Sequence, residues 1–96
     1  MTWIKTIPPN AAQGTLRGAY ERLSGIFPSE YNDPVKALLN SDGSADSIVA
    51  SHSLFPNVME PMFKALAELM SPELPLSRRH HEMINTVVSA TNRCHY

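Results

Sequence analysis

The residue best suited to covalent chemistry is Cys94, the single cysteine, in the segment "NRCHY" that closes the sequence. A cysteine reacts as its thiolate, which a neighbouring positive charge or a helix N-terminus stabilises. Arg93 and His95 flank the sulfur on either side. A reactive thiol is therefore one interpretation of this segment, and an inert free cysteine is the other.

Glu82 is the second candidate, and eleven residues separate it from Cys94. It lies at the edge of a predicted apolar helix face, where a partly buried carboxylate can exchange protons with a sulfur. A solvated glutamate in the second turn of a helix is the simpler alternative. Twelve steps of a straight helix span about 18 Å. The two residues can cooperate only if the chain turns back, a relay group intervenes, or neighbouring helices supply the contact.

The histidines raise the question of a metal site, since nitrogen and sulfur ligands are what zinc prefers. His80 and His81 are adjacent, so on a helix they point about 100° apart and cannot easily face one ion. Their spacing from Cys94 and His95 matches no zinc motif, and we predict neither a metal nor a cofactor. His52, in "SHSLFP", is predicted to be a hydrogen-bonded structural histidine.

Helical spacing dominates the first half of the chain. An amphipathic helix is predicted over 11–23, preceded by Asn10 as its N-cap, because its apolar residues recur at helical intervals. Gly14 and Gly18 weaken this helix and are candidates for close packing against another one. Short helices are also predicted over 35–40 and 47–54, the latter capped by Asp46.

Two longer helices are predicted after Pro56. Asn57 and Glu60 fit a capping box at the start of the first. Its apolar stripe is the widest in the chain and comprises Met59, Met62, Phe63, Leu66, Leu69 and Met70. Ser77 is predicted to cap a final helix from residue 78 to about 92. A strand is the competing assignment for "INTVVSAT", but the 3.6-residue period favours a helix. The predicted fold class is all-α.

The length, composition and net charge of the chain limit its possible functions. Ninety-six residues form a single domain, 1–96, with 43% hydrophobic residues and a thin core, so association with other chains is expected. A net charge of -1 and a pI near 6.4 argue against nucleic-acid binding. The sequence shows no apolar run of about 20 residues for a membrane and no signal-peptide pattern. We therefore predict a cytoplasmic protein with no membrane partner.

The segment "LSRRHHEMINTVVSATNRCHY" resembles the active-site segment of the alkylhydroperoxidase D-like, or carboxymuconolactone decarboxylase, family, in its peroxidase-related branch. Members carry a glutamate, eleven residues, Cys-x-x-Cys, three residues and a histidine. Glu82 and Cys94 have that spacing. Upstream, "DGSADSIVASHSLFPNVMEPMFKALAELM" and "WIKTIPPNAAQGTLRGAYERL" are similar to the segments that precede the motif, so the resemblance covers nearly the whole chain.

The resemblance implies an all-helical bundle that assembles as a trimer or hexamer, or as a dimer. It also implies a dithiol peroxidase whose partners are a hydroperoxide substrate and a dithiol reductant. In the family the later cysteine usually attacks the peroxide, which makes Cys94 the resolving partner and places Glu82 in the proton relay. His95 is a candidate relay only, because some relatives have their histidine one position later, where Tyr96 stands here.

The chain departs from the family motif at its end. The second cysteine and the following histidine lie beyond Tyr96, so we expect a domain truncated inside the motif, and the 96 residues alone to be inactive as a dithiol enzyme. Two alternatives stay open. One is a helical oligomerisation module without chemistry, and the other is a decarboxylase or lactonase-like enzyme of the same fold, without the dithiol.

Overall fold

The computed structural model describes residues 4–29, 36–38, 41 and 48–94. Within these ranges the chain forms three α-helices, α1 (Gly14–Leu23), α2 (Pro56–Leu69) and α3 (Arg78–Thr91), and no strand. Short 3-10 turns occupy Pro9–Ala11, Lys36–Leu38 and Ala50–His52. The described part of the chain therefore confirms the all-α prediction and excludes the strand considered for "INTVVSAT".

Helix α1 begins three residues later than predicted. Asn10 lies in the preceding 3-10 turn and caps nothing, while Gln13 occupies the N-cap position without a side-chain bond. The first helical residue, Gly14, has a φ of 54°, a left-handed conformation that glycine adopts readily and other residues do not. The backbone at Gly14, rather than an asparagine cap, fixes the start of this helix.

The core lies between α1 and α2. Helical spacing puts the buried residues of α1 on one face, and they pack against Met59 and Phe63 of α2, which are 0% and 4% exposed. Phe27, after α1, meets the Phe63 ring edge-on at a centroid distance of 6.4 Å. The buried hydrophobic cluster consists of Ala12, Leu16, Ala19, Leu23, Met59 and Phe63.

A small hydrogen-bond network ties the N-terminal segment to this core. The Ile7 N–H donates to Ser53 Oγ at 2.8 Å, and the Tyr20 hydroxyl donates to the Ile7 carbonyl at 2.7 Å. Ser53 is almost fully buried. Burial raises the pKa of the Tyr20 phenol above its ordinary value of 10.0, an effect that a hydrogen bond with Ser53 partly offsets.

Helix α2 does not begin with the predicted capping box. Phe55 is at the N-cap position and makes no side-chain cap bond, and Pro56 opens the helix. Glu60 faces elsewhere: it accepts from Arg22 Nε of α1 at 2.8 Å and from Lys64 Nζ at 2.6 Å. The contacts with Arg22 and Lys64 take the place of the cap that was predicted for Glu60. These hydrogen bonds, Lys64 first, lower the pKa of the Glu60 carboxyl below its ordinary value of 4.5.

The wide apolar stripe of α2 is only partly covered. Met59 and Phe63 face α1, but Met62 is 53% exposed and Leu69 is 66% exposed. The apolar stripe of α2 therefore forms core only where it faces α1. Periodicity identifies the apolar face correctly, but nothing in the described residues covers its outer half.

Helix α3 begins with a side-chain cap. Ser77 caps the helix as predicted: its Oγ accepts from the His80 N–H at 3.3 Å, and its own N–H donates to His80 Nδ1 at 3.4 Å. Histidine here takes the place that glutamate usually has in a capping box.

The 3-10 turn at Ala50–His52 is shorter than the helix predicted over 47–54, and its predicted cap, Asp46, lies outside the described residues. Of the helix predicted over 35–40, the structure describes only the turn Lys36–Leu38.

Candidate functional site

Helix α3 positions the two candidate catalytic residues at its opposite ends. Glu82 lies in the second turn, and Cys94 follows the last helical residue, Thr91. Nine helical steps from Glu82 to Thr91 cover about 14 Å. The chain does not turn back within the described residues, so the structure does not bring the carboxylate and the sulfur together.

Cys94 lies directly after a helix-ending turn. Arg93 has a φ of 53°, its N–H donates to the Ala90 carbonyl at 3.1 Å, and the Cys94 N–H donates to the Ser89 carbonyl at 2.9 Å. These two bonds form the Schellman arrangement that closes helix C-termini, here with arginine where glycine is common. Cys94 therefore lies at the negative end of α3. A helix that begins at Cys94 would run through residues outside the described ranges.

The thiol of Cys94 is free and exposed. It borders an open depression of about 380 Å³ along one side of α3, lined also by Asn85, Thr86, Ser89 and Ala90. Three of these four neighbours carry hydrogen-bonding side chains, so a polar small molecule can approach the sulfur from this side. His95 lies outside the described residues.

Glu82 is not the partly buried carboxylate that the sequence suggested. Its side chain is 50% exposed, and Arg78 Nε donates to Oε1 at 2.7 Å, one helical turn away. Its carbonyl accepts the Thr86 hydroxyl at 2.7 Å. Glu82 does lie at the edge of an apolar face, but that face is itself in solvent. The alternative of a solvated, ion-paired glutamate describes Glu82 as the chain stands alone.

The apolar face of α3 has little cover. Its large side chains are about half exposed or more: Met83, Ile84, Val87 and Val88. Helices α1 and α2 pack against each other, whereas α3 has no comparable contact with another element in the described ranges. Apolar side chains at this spacing are typical of a helix that packs against something, so the face is suited to a further surface.

The adjacent histidines diverge, as their helical spacing predicted. His80 is exposed and completes the cap at Ser77. His81 is only 8% exposed, and neither of its ring nitrogens has a hydrogen-bond partner. An unpaired buried polar group costs roughly 1–3 kcal/mol. Sequence reasoning considered His81 only as a zinc ligand and missed its burial, which depends on the loop and helix that happen to cover it.

His52 has the structural role that its sequence context predicted. Its Nδ1 lies 2.9 Å from the Ile48 carbonyl and 3.0 Å from Ser51 Oγ. Its ring packs edge-on against Phe63 at a centroid distance of 5.1 Å. The polar contacts of Nδ1 stay within the turn, and the ring contact with Phe63 holds the turn against α2.

Two features that the described residues lack bear on the class of site. No group of three or more His, Cys, Asp or Glu side chains there is arranged to hold a metal ion. None of the helices in the same ranges combines the length and apolar character that crossing a bilayer requires.

Comparison of the sequence with protein-family models, with curated proteins and with solved structures gave no match. The resemblance to the alkylhydroperoxidase D-like family therefore stays a prediction, carried by the spacing of Glu82 and Cys94 and the pattern around them.

Proposed function

We propose that this chain carries the glutamate and the first cysteine of a hydroperoxide-reducing dithiol site of the alkylhydroperoxidase D-like type. The observation that carries the proposal is the position of Cys94. Its thiol is exposed at the closed end of α3, beside an open depression with polar side chains. A hydroperoxide can reach the sulfur there, and Asn85 and Ser89 have side chains that can donate hydrogen bonds to its oxygens.

The reaction is a two-electron oxidation of sulfur that reduces the hydroperoxide to an alcohol. A thiolate attacks the terminal oxygen of the hydroperoxide, the O–O bond breaks, and the alcohol leaves after taking up a proton. The sulfenic acid that remains condenses with a second thiol, which forms a disulfide and releases water. A dithiol donor then reduces the disulfide, so no bound cofactor takes part. The resemblance assigns the first attack to the later cysteine and the condensation to Cys94. In these 96 residues Cys94 is the only thiol, so here it takes the attacking role itself and its sulfenic acid is the product to be trapped.

These 96 residues contain one cysteine, so the second thiol is supplied from outside them. In the printed chain Cys94 is the only sulfur that a hydroperoxide can convert to a sulfenic acid. The chemistry of Cys94 can therefore be measured without interference from another thiol, whereas complete turnover needs the partner thiol.

Glu82 serves this site as the proton-relay carboxylate. Because about 14 Å of helix separates it from the end of α3, protons pass between Glu82 and a thiol only through another element. The exposed apolar face of α3 supports an assembly in which a second copy brings that element. We propose a homo-oligomer, a trimer or hexamer or else a dimer, as the form in which the site is complete.

Trapping of a sulfenic acid tests this function. The reduced chain is treated with cumene hydroperoxide and dimedone, and the adduct at Cys94 is measured by mass spectrometry over time. We expect an adduct in the native chain and none in Cys94→Ser. Glu82→Gln should slow its formation, whereas Glu73→Gln, at another exposed glutamate between α2 and α3, should not. A native chain that hydroperoxide leaves unmodified contradicts the proposal.

The exposed faces of α2 and α3 favour a second candidate, a helical association module without chemistry. Four large apolar side chains of α3 and several of α2 are in solvent. Contiguous apolar patches of this kind on a protein surface mark sites of association with other proteins. Light scattering of the native chain and Cys94→Ser separates the candidates when combined with the trapping experiment. Association without any reaction at Cys94 supports the module.

A further inference from the structure

A groove of about 740 Å³ opens where the end of α2, the segment after α1 and the first turns of α3 meet. This volume is within the range of roughly 300–1,000 Å³ found for small-molecule sites. The groove lies beside the N-terminal turns of α3, and Cys94 follows the other end of that helix. It is therefore separate from the proposed thiol site and does not depend on it.

One side chain of the groove points to a polar ligand. His81 lines it, is more than nine-tenths buried, and has no hydrogen-bond partner at either ring nitrogen. Buried polar side chains are normally paired, so an unpaired one at the wall of a cavity marks where a ligand group is missing. A neutral imidazole offers one donor and one acceptor, and a protonated one offers two donors.

The charges and the apolar wall narrow the class of ligand. Lys64 and Arg78 line the groove together with Glu68, so two cationic side chains with several N–H donors lie at its wall. Phe27 and Met70 supply apolar surface at the same wall. A molecule with an anionic head and an apolar body matches both features. Lys64 also pairs with Glu60 and Arg78 with Glu82, so each cation is held in place by a carboxylate.

We infer that this groove binds a small amphipathic carboxylic acid. Its carboxylate lies against His81 and Arg78, and its apolar body packs on Phe27 and Met70. Because the ring nitrogens of His81 are buried, the ligand meets them after a turn of the imidazole toward the groove. Arginine suits this role, since its planar guanidinium pairs with carboxylates in two parallel hydrogen bonds.

Titration of the full chain with phenylbutyrate tests the inference, with phenylbutyramide as the neutral ligand of the same shape. Binding is followed by calorimetry and by the ¹⁵N signals of the histidine rings. We expect phenylbutyrate to bind at least about tenfold more tightly than the amide and to shift the His81 signals. Equal binding of acid and amide, or no binding of either, overturns the inference.

Two variants locate the site. His81→Phe keeps an apolar ring in the groove but removes both nitrogens, and we expect it to weaken phenylbutyrate binding by about tenfold or more. Arg78→Gln should weaken binding similarly, while Arg79→Gln should not, because Arg79 is exposed and does not line the groove. If His81→Phe fails to fold, the arginine pair decides: equal affinities for Arg78→Gln and Arg79→Gln show that the acid binds elsewhere, which contradicts the inference.

Discussion

The α1–α2 pair and helix α3 are built from similar amphipathic patterns, yet they differ in how the pattern is used. The apolar face of α1 is buried against Met59 and Phe63, and Arg22 reaches across to Glu60 to pin the two helices together. The apolar face of α3 is largely in solvent. Its first turn is nevertheless capped by Ser77, and its last turn is closed by backbone hydrogen bonds from Arg93 and Cys94. The first pair supplies stability, and α3 supplies the candidate chemistry.

This difference shows what α3 still requires. A helix with good ends and an exposed apolar face is stabilised locally, but its position is fixed only by what packs on that face. Glu82 and Cys94 are both on this helix, and they are too far apart to act on one another directly. The described fold holds these two residues at opposite ends of α3, which is why we propose that the candidate site is completed by another surface that covers this helix.

The largest expected effect is the difference in unfolding free energy between two variants, each of which truncates a methionine in one of the two regions. Met59→Ala removes a fully buried side chain, so the free energy of unfolding should fall by about 2–5 kcal/mol. Met83→Ala, on the exposed face of α3, should change it by less than about 0.5 kcal/mol when the chain is dilute. Urea unfolding followed by circular dichroism measures both. A cost at Met83 equal to that at Met59 would show that α3 is packed as firmly as the core.

A smaller effect concerns the two glycines of α1. Gly14→Ala places a side chain at a φ of 54° and should lower stability by roughly 1–2 kcal/mol. Gly18→Ala should raise it by up to about 1 kcal/mol through helix propensity. An added Cβ at Gly18 meets only the flexible Arg22 guanidinium, at 2.9 Å, so Gly18 does not serve close helix packing as the sequence suggested. Thermal unfolding of both variants would contradict this account if their effects had the same sign.

The cap of α3 should matter locally and not globally. Ser77→Ala removes the side-chain acceptor at the helix start, which costs about 1 kcal/mol of helix stability. Because α3 packs little against the core, we expect hydrogen exchange of its amides to accelerate by about fivefold. Amides of α1 and α2 should exchange as before. Equal acceleration in all three helices would mean that they unfold as one unit.

The smallest expected effect is the acid sensitivity of the link between α1 and α2. Hydrogen bonds from Lys64 and Arg22 lower the pKa of Glu60 in the folded chain. Folding therefore releases a proton from Glu60 in this range, so the stability that it contributes is present above about pH 4.5 and is lost as the pH falls through the lowered pKa. Glu60→Gln should flatten this part of the stability profile, and Glu68→Gln on the same helix should not. Chemical unfolding at a series of pH values measures the difference; a profile unchanged by Glu60→Gln contradicts it.

The sequence predicts the buried helical faces of this fold well, because spacing is local, but of the α-helix caps predicted within the described residues only the one at Ser77 is confirmed. The buried face of α1, the cap at Ser77 and the divergence of His80 and His81 all follow from helical geometry. The failure of the prediction for Glu60 depends on a tertiary partner. Glu60 was expected at a helix cap, but Arg22, 38 residues away in the sequence, takes it.

The candidate site shows the same limit. The spacing of Glu82 and Cys94 could be seen in the sequence, but whether a carboxylate at the edge of an apolar face is buried depends on whether that face is covered. His81 illustrates the converse case. Nothing in its sequence context predicts that it is buried near the segment after α1 and the end of α2. Burial in a small chain depends on few neighbours, and those neighbours come from distant parts of the sequence.

The most direct test of the account is the rate at which cumene hydroperoxide oxidises Cys94 in the folded chain and in the same chain unfolded by urea, at one pH and hydroperoxide concentration. We predict that the folded chain reacts several times faster, because the polar depression beside Cys94 holds the peroxide against the thiol, an effect that outweighs the position of the sulfur at the negative end of α3. Equal rates, or slower oxidation of the folded chain, would show that the fold does nothing for this sulfur and would contradict its assignment as a redox residue.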